Sequence, residues 1–252
     1  MTDLRVHYPI GSISSISPVP ISPLKGFRKP HHNTHSNTQV GNDHLTLAVN
    51  NLECMRGYSV LFSSLSFTVQ PATALHIKGA NGRGKTSLLR ILSGLRQPDQ
   101  GTVMWNGASI FKDRTLYLEN ISYQGHEIGL KGDLNAIENL EFFSRMKTET
   151  GNLGVDKVLQ RLDVDHVSML PCSQLSAGQR QRIAIARTVL SGARLWILDE
   201  PGTALDQAGL QVFESILTEH IELGGMVIFT SHHDFRLDSI NHRNLSLDQY
   251  SG

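Results

Sequence analysis

The chain has 252 residues, 23 basic and 23 acidic side chains, and two cysteines. Balanced charge argues against a nucleic-acid binder, which usually carries a basic excess, and two cysteines frame no disulfide scaffold, which favours a reducing compartment. No stretch approaches the roughly 20 apolar residues that cross a bilayer, and no apolar core with a small-residue cleavage site marks a secretory signal. Membrane association is therefore expected only through a partner. Residues 1–43, rich in Ser, Pro, His and Asn, read as a disordered extension that cannot bury enough surface to offset its chain entropy. Within it, the cluster His31, His32 and His35 lacks the neighbouring Cys or carboxylates of a metal tract.

The globular part is expected over 44–252. Leu45-Thr46-Leu47-Ala48-Val49, Ser66-Phe67-Thr68-Val69 and Thr102-Val103-Met104-Trp105 alternate like strands of an antiparallel layer, the last ending at the turn pair Asn106-Gly107. Between them, the apolar run Thr73–Lys78 reads as a buried strand and Ser87–Leu92 as a helix. The residues joining that strand to that helix are Gly79, Ala80, Asn81, Gly82, Arg83, Gly84, Lys85 and Thr86, with Ser87 next. They fit G-x-x-x-x-G-K-[ST] at every fixed position. In such a loop, backbone N–H groups close around a polyphosphate, Lys85 reaches the outer phosphates and the Thr86 hydroxyl ligates Mg²⁺. The helix N-terminus behind it adds partial positive charge.

Further along, Asn120–Tyr123 reads as one more strand, and Asn135 with Glu138 as a capping box opening a helix. Val155–Leu162 and Gly178–Leu190 are helical. Leu195–Leu198 and Met226–Thr230 are continuous apolar runs, as in strands covered on both faces. A helix from Asp206 to about Leu223 lies between them. The expected fold is α/β: a parallel-sheet phosphate-loop core with an antiparallel β subdomain and a helical insert at about 127–182. Asp199 and Glu200 follow the Leu195–Leu198 strand, at the strand end where ligands of open α/β sheets bind. There Asp199 can hold Mg²⁺ opposite Thr86, and Glu200 can orient or deprotonate an attacking water.

Leu175-Ser176-Ala177-Gly178-Gln179 lies between the two sites. With it, the chain resembles the ATP-binding-cassette ATPases, whose signature is L-S-G-G-Q; Ala177 stands where one glycine is usual. The resemblance implies that Ser176, Ala177, Gly178 and Gln179 meet the γ-phosphate of an ATP held by a second copy in a head-to-tail dimer. It further implies a dimer contact at Asp206, within Thr203-Ala204-Leu205-Asp206, and a γ-phosphate contact from His232 in Thr230-Ser231-His232. The residues alone do not choose between His232 and His233. The family's loop glutamine has two candidates here, His126 by alignment and Gln124 two residues earlier. Adenine stacking has Tyr58 and Arg56. Cys54-Met55-Arg56, Val60–Phe67, Gly125-His126, Leu134–Leu140 and Leu195–Pro201 are similar to the ATP-binding subunit of the bacterial cytochrome c maturation system, often called a heme exporter. That resemblance implies a peripheral ATPase on the cytoplasmic face of the inner membrane, bound to an integral membrane permease, with ATP as substrate and Mg²⁺ as cofactor. The alternatives are the ATPase of another transporter, a soluble cassette ATPase, or a non-catalytic nucleotide-binding regulator. Soluble cassette ATPases usually carry tandem cassettes or coiled-coil inserts, and this chain has neither.

Overall fold

Strand polarity and burial divide the molecule into two sheets with one core on each side of the larger. The computed structural model describes residues 45–112, 114–145, 154–237 and 239–250; the expected extension, with His31, His32 and His35, lies outside the described residues. In chain order the elements are β1 (Leu47–Arg56), β2 (Ser59–Val69), β3 (Thr73–Lys78), α1 (Lys85–Leu92), β4 (Gln100–Trp105), β5 (Ala108–Ser109), α2 (Arg114–Asn120) and β6 (Ile121–Gln124). They continue with α3 (Ala136–Arg145), α4 (Val155–Arg161), α5 (Ala177–Leu190), β7 (Leu195–Asp199), α6 (Gln207–Glu222), β8 (Met226–Thr230) and β9 (Asn241–Ser246), and a 3₁₀ turn at Leu247–Tyr250.

The antiparallel sheet has the order β2-β1-β4-β5, and the parallel sheet β6-β7-β8-β3-β9. The segment around Asn120–Tyr123 thus supplies an edge strand of the parallel sheet, in register with β7 from Ile121 opposite Leu195 to Gln124 opposite Leu198. β7 and β8 are buried at all five positions. Leu195, Ile197, Met226 and Ile228 join the core shared with α1 and the antiparallel sheet. Trp196, Leu198, Val227 and Phe229 join the core shared with α3 to α6. Each such side chain contributes roughly 1.5–3 kcal/mol on burial, so these strands form a rigid floor. Their last residues, Asp199 and Thr230, are paired across the two strands. Both are polar and buried, so their polar atoms need partners.

The helical part lies between β6 and β7. Asn135 and Glu138 close the expected capping box on α3: Glu138 N–H donates to Asn135 Oδ1 and Asn135 N–H to Glu138 Oε2, both at 2.9 Å. The boundary expected near residue 182 falls inside α5, which runs unbroken to Leu190.

On the far face, the His220 ring stacks on Trp196 with centroids 3.7 Å apart, and its Nε2–H donates to the Met226 carbonyl at 3.3 Å. Burial lowers its pKa from the ordinary 6.5 to about 4. His220 is therefore neutral when folded, whereas the unfolded chain takes up its proton below pH 6.5. This contribution to stability is complete above that pH and is lost as pH falls toward 4. Going from pH 7 to pH 5 should cost about 2 kcal/mol through this group. Melting curves across that range should show the loss, and His220→Phe should reduce it, leaving the part that comes from His76, whose pKa burial also lowers to about 4.

Candidate active site

β3 ends at Lys78 and delivers the chain into the glycine-rich loop, with α1 starting at Lys85. Gly84 is the N-cap of α1 at φ +90°, no side chain caps the helix and no acidic residue occupies its first turn. Its first N–H groups therefore have neither capping oxygen nor carboxylate, which suits an anion. A Cβ on Gly84 would lie 3.1 Å from Leu61 Cβ and 3.2 Å from the Phe62 ring, so β2 presses the loop into place. The Lys85 ammonium folds back on the loop, donating to the carbonyls of Gly79 at 2.7 Å and Ala80 at 3.4 Å. The C-terminal 3₁₀ turn holds the loop from outside: Asp248 Oδ1 accepts from Ala80 N–H at 3.3 Å and lies 3.5 Å from Arg83 Nε. Asp248 lies 168 residues from Ala80, and no sequence signal connects the two.

Across the sheet, Ile77 is in register with Thr230, and Thr230 with Asp199. Two strand spacings put Asp199 about 10 Å from the end of β3. Asp199 is 4% exposed. Its Oδ1 accepts the Thr230 hydroxyl at 2.8 Å, and its Oδ2 is buried without a hydrogen-bond partner among the described residues. An orphaned buried carboxylate oxygen is the donor a hard divalent cation uses. Together with the exposed Thr86 at the head of α1, this donor set fits Mg²⁺. Glu200 turns away from β7 at φ +54°. His232 N–H donates to its Oε2 at 3.1 Å, and His232 Nε2 lies 3.5 Å from its Oε1. His233 packs by Gly202 and donates its N–H to Ser231 Oγ at 2.8 Å. Of the two histidines it is His232 that meets Glu200.

Ser176 is the N-cap of α5, so the helix opens at Ala177, one residue before the expected Gly178. Ala177 is an ordinary first-turn residue, absent from the positive-φ positions, which is why a Cβ there costs nothing. Ser176 Oγ accepts from Gln179 N–H at 3.1 Å, and Gln179 Oε1 accepts from Ser176 N–H at 2.9 Å. The Ser176 hydroxyl proton stays available to an outside acceptor. Gly178 lies under the next loop, where a Cβ would approach the Ala204 carbonyl to 2.8 Å. Asp206 caps α6, accepting from Gly209 N–H at 2.8 Å and from Arg182 Nη2 at 2.7 Å. The Gly209 amide first, and Arg182 next, hold its carboxyl below the usual range. The signature turn and the Asp206 loop are thus bound together within one copy.

The two loop candidates separate at the end of β6, which closes at Gln124. Gln124 is 1% exposed and opposite Leu198, on the face away from α1. His126 lies past the strand end and lines a cleft of about 190 Å³ with Ala177, Asp199, Glu200 and Thr203. Arg56 and Tyr58 are exposed at the tip of the β1–β2 hairpin. A larger groove, about 1330 Å³, runs from Thr86 past Leu95, Leu118 and Tyr123 to Phe143 and Arg187 of the helical part. The Arg187 guanidinium lies 4.6 Å over the Phe143 ring.

A parallel sheet with a glycine-rich phosphate loop after one strand, two acids after another, and an added antiparallel sheet and helical layer defines the nucleotide-binding ATPase class. Solved structures support that fold. An ABC transporter ATP-binding protein from Pyrococcus furiosus superposes with a TM-score of 0.71 at 24% identity, covering 82% of this chain and all of that one. The family model described as ABC transporter matches residues 62–203. The chain belongs to the ABC transporter family of ATP-binding proteins. A relative from Haemophilus ducreyi, a cytochrome c biogenesis ATP-binding export protein, is 44% identical over 209 residues, 81% of this chain and 97% of the relative. The protein of the same description from Vibrio vulnificus is 40% identical over 202 residues, 80% and 98% of the two chains.

Proposed function

We propose that this chain is the ATP-hydrolysing subunit of a membrane complex serving cytochrome c maturation, with heme movement as the coupled task. The observation behind the ATPase reading is the convergence of the phosphate loop, Asp199, Glu200 and His232 at the carboxyl ends of β3, β7 and β8. The near-complete coverage of relatives named for cytochrome c biogenesis supports the finer reading.

ATP enters at the head of α1, where the free N–H groups take the phosphates and Lys85 swings from the Gly79 and Ala80 carbonyls onto the outer ones. Thr86 and Asp199 hold Mg²⁺, which offsets charge on the phosphates. Glu200 accepts the proton of the attacking water, and His232 donates a hydrogen bond to the γ-phosphate. Ser176 and Gly178 of a second copy close over that phosphate. Because ATP binds the closed pair and not the separated halves, its binding energy drives closure. Phosphoryl transfer needs positioning and charge stabilisation above all, and this set supplies both. His126, beside Asp199 and Glu200, takes the place of the family's loop glutamine. Tyr58 or Arg56 stacks on the adenine.

The groove from Thr86 to Phe143 receives the integral membrane subunit. It has exposed leucines along one side and joins α1 to the helical part, so movement of either is felt at the docked subunit. No helix among the described residues is long and apolar enough to cross a membrane, so attachment to the cytoplasmic face runs through that subunit. Leu118→Glu should lose co-purification with the membrane subunit while keeping nucleotide affinity within about twofold, since Leu118 is 43% exposed and contributes little to the core. Tagged chain purified from membranes tests the whole reading. A polytopic partner and Mg²⁺-dependent phosphate release are expected. An ATPase stimulated by nucleic acid, with no membrane partner, would replace this reading by the soluble one.

A further inference from the structure

Thr230, the last residue of β8, has no exposed surface. Its hydroxyl has one proton and two lone pairs. The proton goes to Asp199 Oδ1 at 2.8 Å, and a lone pair accepts the Glu200 N–H at 3.0 Å. One side chain therefore binds both acids of the site, the first through its carboxylate and the second through its backbone. Each bond has a consequence. With Oδ1 engaged, Asp199 is held in one rotamer and only Oδ2, which has no hydrogen-bond partner among the described residues, is left to face a cation. The bond to the Glu200 amide secures a backbone at φ +54°, a region long side chains rarely adopt. That turn carries the Glu200 carboxylate off the line of β7 and onto His232.

We propose that Thr230 is a positioning residue that sets the metal-facing oxygen of Asp199 and the backbone turn of Glu200 together, so that preference for metal-bound over metal-free ATP depends on its hydroxyl. This rests on reading Asp199 as a Mg²⁺ ligand. Valine has the same shape and strand preference as threonine but neither donor nor acceptor.

The test uses the full-length chain and a fluorescent ATP analogue, titrated with Mg²⁺ and separately in EDTA. Thr230→Val should bind the analogue in EDTA as the wild type does. The Mg²⁺ concentration giving half-maximal binding should rise about tenfold or more, the usual cost of removing a group that orients a metal ligand. Thr230→Ser should restore it. In the membrane complex Thr230→Val should lower kcat more than it raises KM. Combined with Asp199→Asn, Thr230→Val should add nothing further to the Mg²⁺ dependence, because its route runs through Asp199. A wild-type Mg²⁺ midpoint in Thr230→Val, no rescue by serine, or additivity with Asp199→Asn would each overturn the proposal. If valine prevents folding, Thr230→Cys, a weaker donor, should give an intermediate midpoint, and a wild-type value overturns it equally. Should Asp199→Asn itself leave the Mg²⁺ dependence intact, the reading of the metal site falls and takes the role of Thr230 with it.

Discussion

Glu200→Gln should bind ATP, release phosphate roughly 10²- to 10⁴-fold more slowly, and accumulate as a nucleotide-loaded dimer. The size of the effect follows from what the substitution leaves in place. Glutamine has the shape of glutamate and keeps a side-chain oxygen that can accept from His232 N–H, as Glu200 Oε2 does at 3.1 Å. The backbone bond to Thr230 is untouched. What is lost is the ability to take a proton from water, together with one negative charge facing the γ-phosphate. The first loss slows hydrolysis. The second removes a repulsion that opposes closure, so the ATP-bound pair should outlast that of the wild type. Phosphate release measured beside light scattering at saturating ATP checks both, and turnover within threefold of wild type would remove Glu200 from its role.

That expectation draws on residues whose roles are visible in the sequence, and the structure explains why they are visible. Asp199 follows four consecutive buried apolar residues, and a strand covered on both faces leaves such a run whatever the sequence around it. The phosphate loop is local, so its spacing survives in one dimension. The capping box at Asn135 is local too. What stays hidden is what depends on register or distance along the chain. β9, Asn-His-Arg-Asn-Leu-Ser, is an edge strand paired to β3 alone and has no alternating apolar pattern. α2 buries only Tyr117 and so has no helical stripe to read. The clamp of Asp248 on the phosphate loop joins opposite ends of the domain. Gln124 and His126 share strand parity, so they cannot be separated until the structure ends β6 at Gln124 and places His126 beside Asp199 and Glu200. The hydroxyl of Thr230 is hidden because threonine in a strand is unremarkable until its neighbour across the ladder is known to be an acid.

The same structure ties the signature turn to the Asp206 loop inside each copy, through the approach of Gly178 to the Ala204 carbonyl and the Arg182–Asp206 pair. If the two loops act on the nucleotide of the other copy, function should sort by which chain carries which lesion. Lys85→Ala disables the phosphate loop in which it lies. Gly178→Val disables the signature turn, since any Cβ there meets the Ala204 carbonyl at 2.8 Å. In a mixed dimer with Lys85→Ala on one copy and Gly178→Val on the other, both lesions fall in one pocket and the second pocket is whole. With both substitutions on one copy and a wild-type partner, each pocket carries one lesion. Differently tagged copies, co-expressed with the membrane subunit and purified through both tags, should therefore trap about one nucleotide per dimer in the first arrangement and almost none in the second. The loss in each disabled pocket should reach a hundredfold or more, because charge-stabilising donors to a transferring phosphoryl group carry effects of that order. The reverse pattern, about one nucleotide trapped in the second arrangement and almost none in the first, would mean that each pocket is built from a single chain, and the head-to-tail pair would have to be abandoned.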